Sequence, residues 1–312
     1  MVTRIKLHAQ HNESCVKGCN KEERKLCSEN DLCSIVQSSI DGMPIRCVGQ
    51  WAEQKIYLLN QYFGIFAQGM KNKWSEINYI EICSGPGRCI NRQNGLEFDG
   101  TALSILQHDS SKYIKNALFF DYDTKVVEVL NKRIEHLGCT NAAAFVGDYN
   151  NPKSICNIIS QRISQYSSLN LVLLDPTDCS VPFELLVKLK ETIRNIDIII
   201  NVATGTDFNR NIPMAFNDPE RASKYCRFLG SSDFFSLDQN IYLKETKQYE
   251  ILRKRFREAY KQSLMGIGYE HFRIHRIEHF YDILFAAGHP KAIEFWDKAQ
   301  KIPFDGQRSL FF

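Results

Sequence analysis

The 312-residue chain lacks several features that would place it at once in a class of protein. No stretch approaches the roughly 18 consecutive apolar residues that a membrane-spanning helix needs. The first residues contain no apolar core of the kind found in secretory signal peptides. The formal net charge is only +3, so overall charge does not predict binding to nucleic acid. These absences favour a globular protein, and we expect a cytoplasmic location.

Cysteine is abundant, but the usual Cys-x2-Cys metal pair is missing. The count of 11 is odd, which favours reduced thiols over a disulfide framework. Four cysteines crowd into a polar N-terminal stretch that has little to bury, so a bound metal would supply its folding energy. Four thiolates suit a zinc ion, and an iron–sulfur cluster is the alternative metal group. If no metal binds, these cysteines are simply free thiols. The candidate ligands are Cys15, Cys19, Cys27 and Cys33.

Beyond residue 47 the hydrophobic pattern alternates between short apolar runs and amphipathic stretches. Apolar runs bounded by turn residues predict buried parallel strands, and the stretches between them predict covering helices. Strands are predicted at 78–83, 117–121, 142–146, 169–174 and 196–202, with a hairpin at 272–277 and 280–287. Helices are predicted at 48–70, 100–107, 125–137, 152–165, 183–194, 243–263 and 290–301. The pattern predicts an α/β fold with a doubly wound, mainly parallel, seven-stranded sheet.

The first predicted strand runs into a glycine-rich turn with the sequence Glu-Ile-Cys-Ser-Gly-Pro-Gly. Such a turn at the end of a parallel strand forms a nucleotide-sized crevice. A dinucleotide-binding turn would have a third glycine where this chain has Ile90, so NAD and FAD are disfavoured. An acid just before the turn instead suits the α-amino group of S-adenosylmethionine (SAM). The candidate cofactor residues here are Glu81, Ser84, Gly85, Pro86 and Gly87.

Acids also follow the next three predicted strands, and parallel strands end at one edge of a sheet. An acid after the second strand suits ribose hydroxyls, and an acid after the third suits the adenine amino group, with a tyrosine over the ring. An acid after the fourth would lie toward the transferred methyl group. Each acid could instead cap a helix. The candidates are Asp121, Tyr122 and Asp123, then Gly147, Asp148 and Tyr149, and, as catalytic residues, Asp175 and Pro176.

Positive charge is concentrated at Arg253–Arg257 within the predicted helix 243–263. Arg253 and Arg255 could neutralise phosphates, although a charge run on a helix is more often a solvated face. Arg210 lies in the polar stretch 203–240, an insertion after the fifth strand that we predict to be a substrate-side lid. These three arginines are the candidate substrate contacts.

The ordered motifs resemble those of the three-Cys-motif partner proteins. The matching segments are Glu81–Gly87, Gly100–Leu103, Phe119–Asp123, Gly147–Asp148, Leu173–Pro176 and Asp197–Asn201, together with Trp51–Lys55 and the tail from His289. The resemblance covers residues 48–312. It implies a class I SAM-dependent methyltransferase fold, a bacterial setting and a radical-SAM-like partner protein. Cys83-Ser84 and Thr177-Asp178 depart from the family's usual residues.

Two segments follow from the sequence: a Cys-rich N-terminal arm at 1–47 and a methyltransferase-like domain at 48–312. The predicted function is SAM-dependent methyl transfer, with a nucleic acid or nucleotide-like acceptor favoured. One alternative is a catalytically degenerate adaptor that acts with a radical-SAM-like protein. The other is a magnesium-dependent nucleotide-processing enzyme of a defence system.

Overall fold

A computed structural model describes residues 5–6, 37–278 and 280–304 of the chain. The chain divides into two compact units. The first takes in the described residues up to Gly147 and those from Asp297 on, and the second spans Asp148–Trp296. The four predicted metal ligands between residues 15 and 33 lie outside the described residues.

The strands and helices of the described residues follow one another in the predicted alternation. The strands are β1 (Ile5–Lys6), β2 (Arg46–Val48), β3 (Glu76–Ile82), β4 (Arg88–Asn91), β5 (Leu96–Asp99), β6 (Asn116–Asp121), β7 (Ala142–Val146), β8 (Ser168–Leu174), β9 (Asn195–Val202), β10 (His271–Ile277) and β11 (Tyr281–Ala287). The helices are α1 (Trp51–Met70), α2 (Thr101–Leu106), α3 (Thr124–His136), α4 (Pro152–Ser160), α5 (Phe183–Thr192), α6 (Asn209–Ala215), α7 (Pro219–Leu229), α8 (Asp238–Glu245), α9 (Tyr249–Gly266) and α10 (Pro290–Gln300). A 3-10 helix at Asp109–Tyr113 and a π-helical turn at Thr204–Phe208 complete the regular structure of this part of the chain.

Seven of the described strands form the main sheet. In the first unit β3, β6 and β7 are neighbours in that order and run parallel. In the second unit the order is β10, β11, β9 and β8, with β8 and β9 parallel and the β10–β11 hairpin antiparallel to β9. The predicted mainly parallel, seven-stranded sheet is therefore confirmed.

The central strands β3 and β8 are buried along their whole length. Strands covered on both faces are mostly apolar, but β3 also contains Glu76, Asn78 and Glu81, and β8 contains Ser168 and Asn170. The polar exceptions pair with each other, as where Asn78 Nδ2 donates to Glu76 Oε1 over 3.2 Å.

The first unit also contains a four-stranded sheet in the order β1, β5, β4 and β2. Strands β4 and β5 form a hairpin between Gly87 and Gly100, which the sequence analysis did not predict. Gly100 N donates to Gly87 O over 2.8 Å, so the first and last residues flanking the hairpin are joined at its root.

The stretch 203–240 is largely helical, although its composition predicted an irregular insertion. Phe208 in the π-helical turn stacks on Phe256 of α9 with ring centroids 3.7 Å apart, and Phe228 of α7 stacks on Tyr260 at 4.4 Å. Aromatic contacts of this kind add to the free energy of area burial. These helices therefore share an aromatic core within the second unit.

The predicted helix 243–263 is two helices, α8 and α9. The break falls at Lys247, whose φ of 55° is in the left-handed region and cannot continue a helix. Among the described residues no helix has the length and apolarity needed to cross a bilayer.

Candidate functional site

The glycine-rich turn after β3 has a backbone that only a few residues adopt without strain. Gly85 and Gly87 have φ values of 64° and 87°, and Cys83 has a φ of 67°. A Cβ atom at Gly87 would lie 2.8 Å from Leu130 Cδ1 and 3.0 Å from Leu103 Cγ. Both the conformation and the space at this position therefore require glycine.

Asp121, at the end of β6, joins the ends of the first unit's three parallel strands. Gly85 N donates to Asp121 Oδ2 over 3.0 Å, and Asp123 N donates to Asp121 Oδ1 over 3.3 Å. Gly147 N donates to the Asp121 carbonyl over 2.8 Å. The structure thus brings Gly85, Asp123 and Gly147 together at Asp121, the first two on its buried carboxylate and the third on its backbone carbonyl.

Two other predicted residues of this unit differ sharply in exposure. Tyr122 is 55% exposed. Glu81 is 1% exposed, and its Oε2 accepts from Tyr79 Oη over 2.8 Å. Asp123 caps α3, since its Oδ1 accepts from Lys125 N over 2.7 Å. The helix-capping alternative therefore holds for Asp123.

Arg133 of α3 holds the turn from within the protein, a role that the sequence did not suggest. Its side chain is buried, and Nη1 donates to Pro86 O over 2.6 Å. Two nitrogens of its guanidinium group form a fork that donates to the Asp41 carboxylate, Nε to Oδ2 over 2.8 Å and Nη2 to Oδ1 over 3.0 Å. Burial alone would raise the pKa of Asp41, but the bonds from Arg133 hold that pKa below its ordinary value.

The sequence nevertheless contains a pattern that could have identified Arg133 as a buried residue. Val126 and Leu130 lie on the buried face of α3, and position 133 continues that face at helical spacing. A charged residue on a buried stripe needs partners, and Asp41 in the preceding polar segment is its partner.

In the second unit, Asp175 and Pro176 follow β8 and lie next to the end of β9. Asn201 Nδ2 donates to Asp175 Oδ1 over 2.9 Å and to Pro176 O over 3.2 Å. Both partners are acceptors, so the amide nitrogen of Asn201 faces them. Asn201 therefore fixes the orientation of the predicted catalytic carboxylate.

A second cluster in this unit surrounds Lys224 of α7. Lys224 Nζ donates to Asp178 Oδ2 over 2.8 Å and to Asp207 Oδ2 over 2.7 Å. Asp207 also accepts from Cys179 N over 2.9 Å and from Tyr225 Oη over 3.0 Å. The cluster links the loop after β8 to the π-helical turn after β9, and sequence reasoning missed it.

The charges of this cluster are matched by its hydrogen bonds. Burial alone would raise the pKa of Asp207, but the bonds from Lys224 and Cys179 N hold that pKa below its ordinary value. Burial alone would lower the pKa of Lys224, but the two carboxylates raise it above its ordinary value. Burial raises the pKa of the Cys179 thiol well above its ordinary value. The thiol is therefore protonated at neutral pH and is no nucleophile.

Tyr149 and Asp148 lie in the second unit, at the start of its sequence. Tyr149 Oη and Ser180 Oγ are 2.8 Å apart, and Ser180 Oγ also donates to Asp178. Tyr149 therefore joins the Lys224 cluster through Ser180. Asp148 is exposed, and its Oδ1 accepts from Asn150 N over 2.8 Å in a local turn.

The predicted substrate arginines have different surroundings. Arg210 is exposed on α6. Arg253 Nη1 donates to Glu250 Oε1 over 2.5 Å, and Arg255 Nε donates to Asn240 Oδ1 over 2.5 Å. Both of these side chains are half-buried in α9 and have acceptors within the protein, whereas Arg210 presents its charge to solvent.

The seven cysteines in the described part of the chain carry thiols rather than disulfides. Within the same residues, no group of three or more His, Cys, Asp or Glu side chains is arranged to hold a metal ion. The metal site predicted at residues 15–33 stays a prediction.

No protein-family model matches the chain, and no curated protein matches its sequence. Solved structures do resemble it. M. jannaschii TYW2 in complex with AdoMet is 10% identical, over 77% of this chain and 76% of that one, with a TM-score of 0.37. Aeropyrum pernix fibrillarin with natively bound S-adenosyl-L-methionine is 10% identical, over 73% and 76%, with a TM-score of 0.38. A SAM-dependent methyltransferase from Aquifex aeolicus is 12% identical, over 75% and 96%, with a TM-score of 0.37.

Proposed function

We propose that the chain is a SAM-dependent methyltransferase that binds its cofactor at the glycine turn of the first unit. The observation that carries the proposal is the Asp121 junction, where the buried carboxylate accepts from Gly85 N and Asp123 N and the backbone carbonyl accepts from Gly147 N. A glycine turn and an acid at the carboxyl ends of parallel strands are features that favour nucleoside binding in doubly wound folds.

The residues present fit that cofactor. A Cβ at Gly85 would meet no atom closer than Arg46 Nε at 3.9 Å, so the space beside the turn is open. The exposed ring of Tyr122 can cover an adenine face. Because Glu81 is almost fully buried, we propose that it favours the ligand's ammonium group through its charge rather than by contact.

When bound, SAM supplies a methyl group on a sulfonium, which is a strong leaving group. The protein's task is then to hold an acceptor in line and to take its proton. We propose that Asp175 accepts that proton and that Asn201, which donates to Asp175 Oδ1 over 2.9 Å, keeps the carboxylate in position. Little further side-chain chemistry is needed.

The acceptor that we propose is a nucleic acid or a nucleotide-like molecule. Arg210 supports it, since its exposed charge is available to a phosphate. Arg253 and Arg255 contribute less to this proposal, because Glu250 and Asn240 already accept their hydrogen bonds. We also propose a radical-SAM-like partner protein, which is supported only by the resemblance to the three-Cys-motif partner proteins.

Calorimetric titration with SAM and with S-adenosylhomocysteine (SAH) tests the cofactor. We expect Asp121→Asn to weaken SAM binding roughly tenfold or more, because asparagine has one acceptor oxygen where Asp121 uses two, and its charge is lost. Asp109→Asn, an exposed acid in the same unit, is the matched control and should bind as the wild type does.

Incubation with labelled SAM and, separately, transfer RNA, DNA and free nucleotides tests the acceptor. Transfer that is lost in Asp175→Asn would support the proposed role of Asp175. SAM binding without transfer to any of them would favour the adaptor alternative, and binding of neither SAM nor SAH would end the enzyme proposal.

A further inference from the structure

The pair formed by Asp41 and Arg133 is the most completely bonded charged group described in the first unit. Arg133 is only 2% exposed, and besides its fork to Asp41 it donates to Pro44 O over 3.0 Å, Met43 O over 3.2 Å and Pro86 O over 2.6 Å. A buried guanidinium needs this many acceptors, because each unpaired N–H would cost free energy. One side chain thus joins the segment 41–44 to the glycine turn.

Each of the turn's three consecutive residues is held by a different part of the unit. Gly85 N is bound by Asp121, Pro86 O by Arg133, and Gly87 O by Gly100 N. A turn that is held at every residue has little freedom left to lose when a ligand binds, which favours affinity. Of these three contacts, only the one to Pro86 comes from a charged side chain on a helix.

The charges around Asp41 are unequal. Asp41 faces Arg133, with Nε to Oδ2 at 2.8 Å, and Arg88, with Nη1 to Oδ2 at 3.5 Å. Arg88 in turn faces Asp99 at 3.0 Å and Glu97 at 3.8 Å. Two further charges lie at the turn itself, since a Cβ at Gly85 would be 3.9 Å from Arg46 Nε and Gly85 N donates to Asp121. Three guanidinium groups and four carboxylates therefore surround the turn, with a formal charge of −1.

We propose that the Asp41–Arg133 pair is a positioning device for the cofactor turn, one that also makes the turn selective for a cationic ligand. The proposal rests on the proposed function. SAM carries a sulfonium charge that SAH lacks, so the net negative charge around the turn favours SAM over SAH. Arg133 sets the backbone at Pro86, and Asp41 sets both the orientation of Arg133 and the sign of the local charge.

Two variants separate the two effects. Asp41→Asn keeps the shape and one acceptor but removes the negative charge. We expect it to raise the Kd for SAM about fivefold to tenfold and the Kd for SAH by no more than about twofold. Arg133→Lys keeps the positive charge but loses the planar fork, so we expect both Kd values to rise by a similar factor.

Glu128→Gln is the matched control, because it removes one negative charge from an exposed position on the helix that carries Arg133. It should leave both Kd values and their ratio unchanged. Circular dichroism and thermal unfolding of each variant establish that the protein is folded when it is titrated. Raising the salt concentration should reduce the SAM preference of the wild type but not that of Asp41→Asn.

The outcomes separate this inference from the proposed function. If the wild type binds SAM and Asp41→Asn shifts both ligands equally, the charge role is overturned. If the wild type binds SAM and Arg133→Lys binds both ligands as the wild type does, the positioning role is overturned. If the wild type binds neither ligand, the proposed function fails and this inference fails with it.

Discussion

The glycine turn of the first unit and the Lys224 cluster of the second each contain a cation paired with at least one carboxylate, yet they are built differently. In the first, Arg133 is fully buried and donates to three backbone carbonyls as well as to Asp41. In the second, the Lys224 side chain is 32% exposed and donates to two side-chain carboxylates, Asp178 and Asp207.

The difference shows what each cation can hold in place. A planar guanidinium with fixed donors defines backbone positions, so Arg133 suits a turn whose peptide geometry must be exact. A lysine ammonium on a flexible stem is a point charge, so Lys224 balances carboxylates without fixing a backbone. We therefore expect the first region to be sensitive to shape and the second to be sensitive to charge.

The largest effect is expected for Arg133→Met. The substitution leaves Asp41 without its fork and three carbonyls without a donor, and removing one partner of a buried ion pair costs about 3–5 kcal/mol. The free energy of unfolding in urea measures the loss. Lys132→Met, exposed on the same helix, should change it little. Equal losses of stability for Arg133→Met and Lys132→Met would contradict the stabilising role of the buried Arg133.

A smaller effect is expected for Gly87→Ala. A left-handed φ costs an alanine about 1–2 kcal/mol, and the contact with Leu130 adds about 1 kcal/mol or more of overpacking. Gly138→Ala is the matched control, since its φ is 68° but a Cβ there would meet nothing within 4 Å. The difference between their unfolding free energies isolates the packing cost, and no difference would show that leucines 103 and 130 simply move aside.

The smallest effect is expected for Lys224→Met at neutral pH, about 1–2 kcal/mol, because Asp207 keeps its bonds from Cys179 N and Tyr225 Oη. The pKa of Lys224 is raised in the folded protein, so its contribution is complete below pH 10.5 and is lost as the pH rises through the higher folded value. The stability difference between wild type and Lys224→Met should therefore shrink in strongly alkaline solution.

A comparison with Arg133→Met makes this test more specific, because the guanidinium group of arginine stays charged in proteins. The cost of Arg133→Met should stay constant over the alkaline range in which the cost of Lys224→Met declines. Lys254→Met, at an exposed position in the second unit, controls for loss of positive charge alone. A parallel decline for arginine and lysine would contradict the assignment.

The sequence was most informative where one local rule decides the structure. Strand β7 was predicted with its observed bounds, and β8 differs by one residue at its start, because both are short apolar runs between turn residues. The glycine turn was also found, since left-handed backbone at the end of a strand favours glycine.

It was least informative where distant residues meet. Lys224 bonds Asp178 across 46 positions, and Arg133 bonds Asp41 across 92. The helical periodicity of α3 places Arg133 on a buried face, but it does not identify Asp41 as the partner, and no pattern marks Lys224 or Asp178. Helix α7 was missing from the sequence prediction for a different reason. Asp218 caps its start, Pro219 follows, and Gly230 ends it with a φ of 68°, which are ordinary helix signals hidden in a polar composition.

The hydrogen bond from Gly100 N to Gly87 O, 2.8 Å long, closes the β4–β5 hairpin at its base, immediately before α2 begins at Thr101. Both strands of the hairpin also belong to the four-stranded sheet, since β4 pairs with β2 and β5 pairs with β1. Engineered insertions should therefore be confined to the exposed tip at Gln93 and Asn94, where we expect them to leave the start of α2 in place.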